Sequence, residues 1–266
     1  TMRCGGVYTF WPDYQPKCTH SHGNENVTTA LRDSCNVYFY DLGRRLGIES
    51  FNETAATLGF GQKTGLEISE AAGNLSSEEY FNAHHKAPER WQKGNVVQAA
   101  IGQMDTQVTP VQLATYAASV ANKGERLATH LVGSVRSYNF DALISDVQPT
   151  VLAQVPGDKA TVDAAFATVE QGMLLASKTG TATQFLGDYI YNIASKTGTS
   201  QNAKGFFDAT IVAYGPVENP ELAIGAVVES AGNGYQLARM VRDVFDEYYA
   251  GKNQNTTLSQ AGVLLQ

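Results

Sequence analysis

The sequence predicts an α/β fold of the α+β kind, an antiparallel sheet flanked by helices, and three observations predict it. Before residue 180 apolar residues recur mainly at helical spacing. From residue 189 the period drops to that of strands, and two strand-like runs are joined by G-P-V-E-N-P, the turn of an antiparallel hairpin. No repeat at solenoid spacing and no linker divides the 266 residues, so one domain is expected over 1–251, with a polar, disordered tail over 252–266.

Each element has its own signal. Residues 1–25 are rich in Gly, Pro, aromatics and Cys without periodicity, the mark of a loop that needs a staple. Asn26 can cap a helix through V-T-T-A-L-R, and a second helix, V-Y-F-Y-D-L-G-R-R-L, follows Ser34-Cys35-Asn36, which places that tripeptide at a helix junction. Ser50 and Glu53 form a capping box opening F-N-E-T-A-A-T-L, which Gly59 and Gly61 close, and residues 62–95 read as loop. Thr109-Pro110 opens V-Q-L-A-T-Y-A-A-S-V-A-N-K-G with a cap and a first-turn proline. Val162, Ala165, Phe166 and Val169 mark one face of a helix over 160–175. The expected strands are Y-I-Y-N-I-A, F-F-D-A-T-I-V-A-Y and E-L-A-I-G-A-V-V-E, followed by an amphipathic helix, Y-Q-L-A-R-M-V-R-D-V-F-D-E-Y-Y.

Composition narrows the function. With 43% hydrophobic residues the chain can bury a core, and 19 basic against 26 acidic residues leave a net charge of −7, without the cationic footprint of a nucleic-acid binder. No run of eighteen apolar residues is present, and T-M-R-C-G-G lacks the regions of a secretory signal. Cys4, Cys18 and Cys35 all lie near the start, with His20 and His22 beside the middle one. The spacing is looser than that of paired C-x2-C zinc motifs, so a metal site and a disulfide plus one free thiol both remain open.

Short motifs must be judged by setting. Lys-Thr-Gly begins at 63, 178 and 196, and Ser-x-Asn begins at 34, 50, 137 and 200. A lysine, a hydroxyl and a glycine on a strand edge can hold an anionic peptide end, because glycine lets another backbone approach. Only Lys196 has that setting, following Y-I-Y-N-I-A and preceding the hairpin; Lys178 trails a helix and Lys63 sits in a turn after G-F-G.

The order Ser-x-Asn, G-F-G-Q-K-T-G-L-E, I-G-Q-M-D-T-Q-V-T-P-V-Q-L-A-T-Y-A-A-S-V-A-N-K-G and S-K-T-G-T-S-Q before a hairpin resembles the transpeptidase domain of class B penicillin-binding proteins, from about residue 4 to about 250. The resemblance implies a serine β-lactamase/penicillin-binding transpeptidase-like fold. It also implies an acyl transfer through a serine ester on peptidoglycan stem peptides, acylation by β-lactam antibiotics, and work beside cell-wall synthesis partners on the extracytoplasmic face of the bacterial membrane, anchored by a segment upstream. On that basis Ser34 would shuttle a proton to the leaving amine and Asn36 would bind the catalytic lysine and the substrate amide. Lys196 would supply positive potential, Thr197 and Thr199 would offer hydroxyls to the substrate carboxylate, Gly198 would clear space, and the Thr199 N–H would form half of an oxyanion hole. Gly180-Thr181-Ala182 fits a loop that family members carry before this strand, which makes Ser177-Lys178 a chance copy.

The departure is large: no serine has a lysine three positions on, so the family's S-x-x-K is absent. A C-terminal portion of a longer protein and a member that has lost catalysis both account for this, and the roughly 60 residues upstream would decide. The early Cys and His residues resemble a clostridial-type subgroup, which implies a structural zinc on Cys4, Cys18, His22 and Cys35, with His20 the rival to His22 and a disulfide the alternative. A β-lactam-hydrolysing or sensing protein of this fold, and a silent zinc-stapled scaffold, are the competing functions. His84 and His85 read as solvent-exposed loop residues, Trp11 and Trp91 as packing residues, and Asp188 as part of a turn.

Overall fold

The computed structural model describes the backbone of residues 1–201 and 205–261, and side chains as far as Lys252. In chain order the elements are β1 (Met2–Cys4), β2 (Gly23–Glu25), α1 (Val27–Asp33), α2 (Asn36–Thr57), α3 (Glu78–His84), α4 (Lys93–Ala99) and α5 (Pro110–Ala121). Then come β3 (Glu125–Leu127), β4 (Ser134–Arg136), β5 (Leu143–Asp146), β6 (Val151–Gln154), α6 (Lys159–Lys178), α7 (Thr183–Leu186), β7 (Ala194–Gln201), β8 (Phe207–Gly215), β9 (Leu222–Val228) and α8 (Leu237–Ala261).

The helix starts follow local chemistry. Asn26 accepts the Thr29 N–H while the Thr29 hydroxyl takes the Asn26 N–H, and Thr109 and Gln112 repeat this box at α5. Ser50 makes no such cap, because α2 runs unbroken in hydrogen bonding past it. The break comes earlier, at Gly47, whose φ of 76° takes the chain through a kink that only glycine adopts without strain.

The main sheet has the antiparallel order β7-β8-β9. Strand alternation in β8 sends Ala209, Ile211 and Ala213 to one face, where Leu186, Ile193, Val241 and Phe245 cover them, and Val212 and Tyr214 to the other, against Ala117, Val120 and Met173. Helix α8 therefore lies on one side and α5 with α6 on the other, and each large buried side chain contributes about 1.5–3 kcal/mol. A third cluster, Cys4, Tyr8, Ala30, Cys35, Val37, Tyr40 and Val97, ties the first 25 residues to α1, α2 and α4.

Three expectations change. The first strand of the sheet is Ala194–Gln201, not Y-I-Y-N-I-A: Tyr189 and Ile193 pack into the α8-side core, and the polar run after them pairs with β8. Residues 62–95 hold α3, capped by Ser77, and the start of α4. Helix α8 continues through 252–261, where a disordered tail is expected. No proline intervenes, and extending a formed helix costs little. Residues 262–266 lie outside the described residues.

Candidate active site

Ser34 is the hinge between α1 and α2. It ends α1 in the left-handed region, at φ 54° and ψ 46°, with its N–H on the Ala30 carbonyl. A non-glycine residue held there costs on the order of 1–3 kcal/mol, so the surroundings must enforce it. Two features do so: Cys35 is fully buried, and the Asn36 N–H donates to Cys18 Sγ at 3.2 Å. Helix α1 also lies tight against α6. A Cβ on Gly172 would stand 2.7 Å from Leu31 Cδ1, so only glycine permits this approach.

Strand β7 brings the other half. It is the edge of the sheet, with Lys196 opposite Val212 and Gly198 opposite Thr210. Alternation turns Ser195 into the core and Lys196 the other way. Lys196 Nζ donates to Ser34 Oγ, 162 positions away, and to the Thr197 carbonyl at 2.8 Å. Burial pulls the Lys196 ammonium down to about 8, so this amine can exchange a proton near neutral pH. Thr197 donates its hydroxyl proton to Thr181 at 2.9 Å, which joins the Gly180-Thr181-Ala182 loop to the strand. Thr199 Oγ1 accepts from the Gly234 N–H at 3.2 Å and so keeps its own proton to give. A cavity of about 640 Å³ opens beside Gly198 and Thr199, walled by Ile101, Gln103, Val108 and Leu113.

The duplicate motif is a buttress. Lys178 Nζ donates to the Tyr189 carbonyl at 3.0 Å, whereas Lys196 takes Ser34, and Ser177 and Ser195, the first letters of the two S-K-T-G-T copies, share a 2.7 Å hydrogen bond in the core. Lys63 lies on a surface loop. The structure thus gathers Ser34, Lys196, Thr197, Gly198 and Thr199 at one edge, with Asn36 the first residue of α2, two positions after Ser34.

The three cysteines are free, and Cys4, Cys18, His22 and Cys35 place one donor atom each within 4.8 Å of one another. His22 Nδ1 lies 3.6 Å from Cys4 Sγ and 3.5 Å from Cys18 Sγ. Tetrahedral zinc, with bonds of about 2.3 Å to sulfur and 2.05 Å to nitrogen, demands a sulfur–nitrogen separation of about 3.6 Å, so these residues fit the metal. The pairing of Cys4 with Gly23 across β1 and β2 brings His22 in, whereas His20 offers Cys4 only its carbonyl. Burial opposes ionisation of Cys18, yet the N–H groups of Val37, His20 and Asn36 outweigh it and hold that thiol below its usual value; burial pushes Cys35 up.

His85 departs from its exposed reading. It is half-buried, with Nε2 at 2.9 Å from Asp105 and Nδ1 at 3.0 Å from Glu89, its ring stacked on Phe81. The hydrogen bond to Asp105, joined by that to Glu89, raises its affinity for a proton. His84 stacks on Tyr80, Trp91 packs edge-on against Phe81, Trp11 against Tyr8 and Phe10, and Asp188 pairs with Arg242.

Comparison with known proteins agrees with this geometry. Peptidoglycan D,D-transpeptidase MrdA of Acinetobacter baumannii is 28% identical over 253 residues, covering 88% of this chain and 36% of the relative. Penicillin-binding protein 2A of Bacillus subtilis is 29% identical over 268 residues, covering 87% and 35%. The chain therefore spans little more than a third of these relatives. The crystal structure of Pseudomonas aeruginosa PBP2 in complex with WCK 5153 superimposes with a TM-score of 0.77 at 28% identity, over 93% of this chain and 55% of that one. The model of the penicillin-binding protein transpeptidase domain matches residues 4–246, and the chain belongs to that family.

Proposed function

We propose that this chain supplies the proton-shuttling and substrate-holding half of a peptidoglycan D,D-transpeptidase. The observation that carries the reading is the hydrogen bond from Lys196 Nζ to Ser34 Oγ, which joins a strained helix junction to an edge strand. The substrate class is the stem peptide ending in D-alanyl-D-alanine, and β-lactams imitate it. The peptide adds to the free edge of β7, Thr199 donates to its terminal carboxylate, Thr197 assists once released from Thr181, and the Thr199 N–H polarises the scissile carbonyl. A serine outside these 266 residues attacks that carbonyl, forming the ester as the C–N bond breaks. Ser34, in contact with Lys196, passes the proton to the departing amine, and Asn36 orients the peptide.

Zinc on Cys4, Cys18, His22 and Cys35, when bound, supplies structural cross-linking with no open position for chemistry. The ligands themselves set the function: Cys35 stands between Ser34 and Asn36, and Cys18 holds the Asn36 N–H. The working location is the extracytoplasmic face of the membrane, among proteins of peptidoglycan synthesis. A relative at 29% identity and TM-score 0.79 comes from a peptidoglycan synthase complex that coordinates polymerization and crosslinking.

The test is covalent labelling by fluorescent penicillin. The protein extended upstream to include an S-x-x-K serine should be labelled, the present chain alone should not, and Lys196→Ala or Ser34→Ala in the extended protein should slow labelling at least a hundredfold, the scale of a lost proton-transfer group. Unchanged labelling in both variants would refute the assignment. Label held for hours supports a transpeptidase, and rapid release supports a hydrolase of the same fold.

A further inference from the structure

The turn after α4 is clamped from both sides and delivers one side chain to the reactive strand. Gly102 and Met104 both take positive φ, 80° and 71°, and for methionine that conformation is strained. On one side Asn74 exchanges backbone hydrogen bonds with Gln107 and donates its side-chain amide to the Asp105 carbonyl at 2.9 Å. On the other side stands His85, held between Asp105 and Glu89. Two residues before Asp105, Gln103 Nε2 donates to the Thr199 carbonyl at 3.3 Å. That carbonyl belongs to the edge to which, on the reading above, the stem peptide adds as a strand.

Two acceptors on one imidazole carry information. Ionised carboxylates only accept, and a neutral imidazole has one N–H, so it can satisfy Asp105 or Glu89 but not both; imidazolium satisfies both. Asp105 Oδ2 is buried and has no partner among the described residues, so His85 is the group that compensates this charge. The charged groups facing His85 are Asp105 from the turn and Glu89 from the segment after α3, while the neighbouring His84 turns its Nδ1 to the Tyr80 carbonyl. When the imidazole loses its proton, one of the two carboxylates loses its donor and Asp105 keeps at most a neutral hydrogen bond, so the clamp on the turn weakens.

We propose that His85 and Asp105 are positioning residues of the groove: paired as imidazolium and carboxylate, they fix the 102–106 turn so that Gln103 caps the Thr199 carbonyl, an acceptor that an incoming peptide must win. The proposal rests on the peptide-binding role of β7. It makes the exposure of that carbonyl depend on pH. The cap is held while His85 is protonated and loosens as pH rises through its titration, since its proton affinity in the fold is raised.

The test is NMR of the 266-residue chain across pH 5 to 9, following the His85 ring, the Gln103 side-chain amide and the Thr199 carbonyl carbon. Gln103 and Thr199 should shift with the His85 midpoint. His85→Gln should abolish that shift, Asp105→Asn should lower the His85 midpoint and uncouple Gln103, and Gln103→Ala should leave the His85 titration intact while the Thr199 response is lost. Signals of Gln103 and Thr199 that stay flat while His85 titrates, or that titrate equally in His85→Gln, overturn the proposal. Gln103→Ala keeps the clamp residues, so the test survives if either clamp variant fails to fold. Penicillin labelling fails or succeeds independently of these shifts, so the clamp and the enzymatic reading fall separately.

Discussion

Lys196 should destabilise the chain that depends on it. Burial moves the ammonium from the ordinary lysine value of 10.5 to about 8. Below pH 8 the folded and unfolded chains both carry the proton, and the full cost of burying the charge is present. Between about 8 and 10.5 the folded chain sheds the proton while the unfolded chain keeps it, so stability rises with pH, and above 10.5 the gain is complete. The difference between those values is worth at most about 3 kcal/mol. Urea denaturation of wild type and Lys196→Met at pH 7, 9 and 10.5 reads it directly, because every other titrating group cancels in the difference. Wild type should gain up to about 3 kcal/mol on the variant across that range. A difference constant within about 0.5 kcal/mol, the scatter of a neutral substitution, would mean that Lys196 is not desolvated and that the proton-exchange argument fails.

Ser177→Ala leaves the buried Ser195 hydroxyl without a partner and should cost about 1–3 kcal/mol. Ser195→Ala should cost less, since Ser177 also reaches the Met173 carbonyl, and the double variant should cost less than the sum, all by urea titration. A Cβ on Gly198 would collide with Thr210 Oγ1, the next atom being Thr210 Cβ at 3.6 Å. Gly198→Ala should therefore distort β7, and Thr210→Ala in the same chain should restore folding and thermal stability. Metal analysis should find one zinc per chain, falling below half an equivalent in Cys35→Ser, with the Ser34 and Asn36 amides gaining faster hydrogen exchange.

What the sequence made legible was local. The caps at Asn26 and Thr109 are short-range hydrogen bonds between residues three apart, and they stand where the letters place them. The settings of Lys196 and Lys178 are also local: one lysine follows a core segment into an edge strand and the other ends a helix. The strand boundary was not legible, because A-S-K-T-G-T-S-Q is a strand with a groove on one side and lacks the apolar alternation that announces one. Helix α3 buries only Phe81, so its periodic signal is weak, although Ser77 before Glu78 and Glu79 is a cap that could have revealed it. His85 was missed for another reason: its acidic partner Asp105 lies 20 residues away, and only the meeting of α3 with the strained turn pairs them.

The Cys/His cluster and the reactive edge meet at Ser34. A serine in the left-handed conformation would relax if the chain after it were free, and relaxation would swing its hydroxyl away from Lys196. The next residue is a candidate ligand buried to 0% exposure, and the one after donates its N–H to a second ligand sulfur, so neither can follow such a motion. The four donors Cys4, Cys18, His22 and Cys35 thus converge beside one hydroxyl, where a bound metal would add to its rotational restraint. This explains how a chain whose first 25 residues form almost no regular structure still holds a strained residue in place. The restraint comes from the burial of Cys35 and from the hydrogen bond that Cys18 takes from the Asn36 N–H, and a metal on the four donors would tighten both.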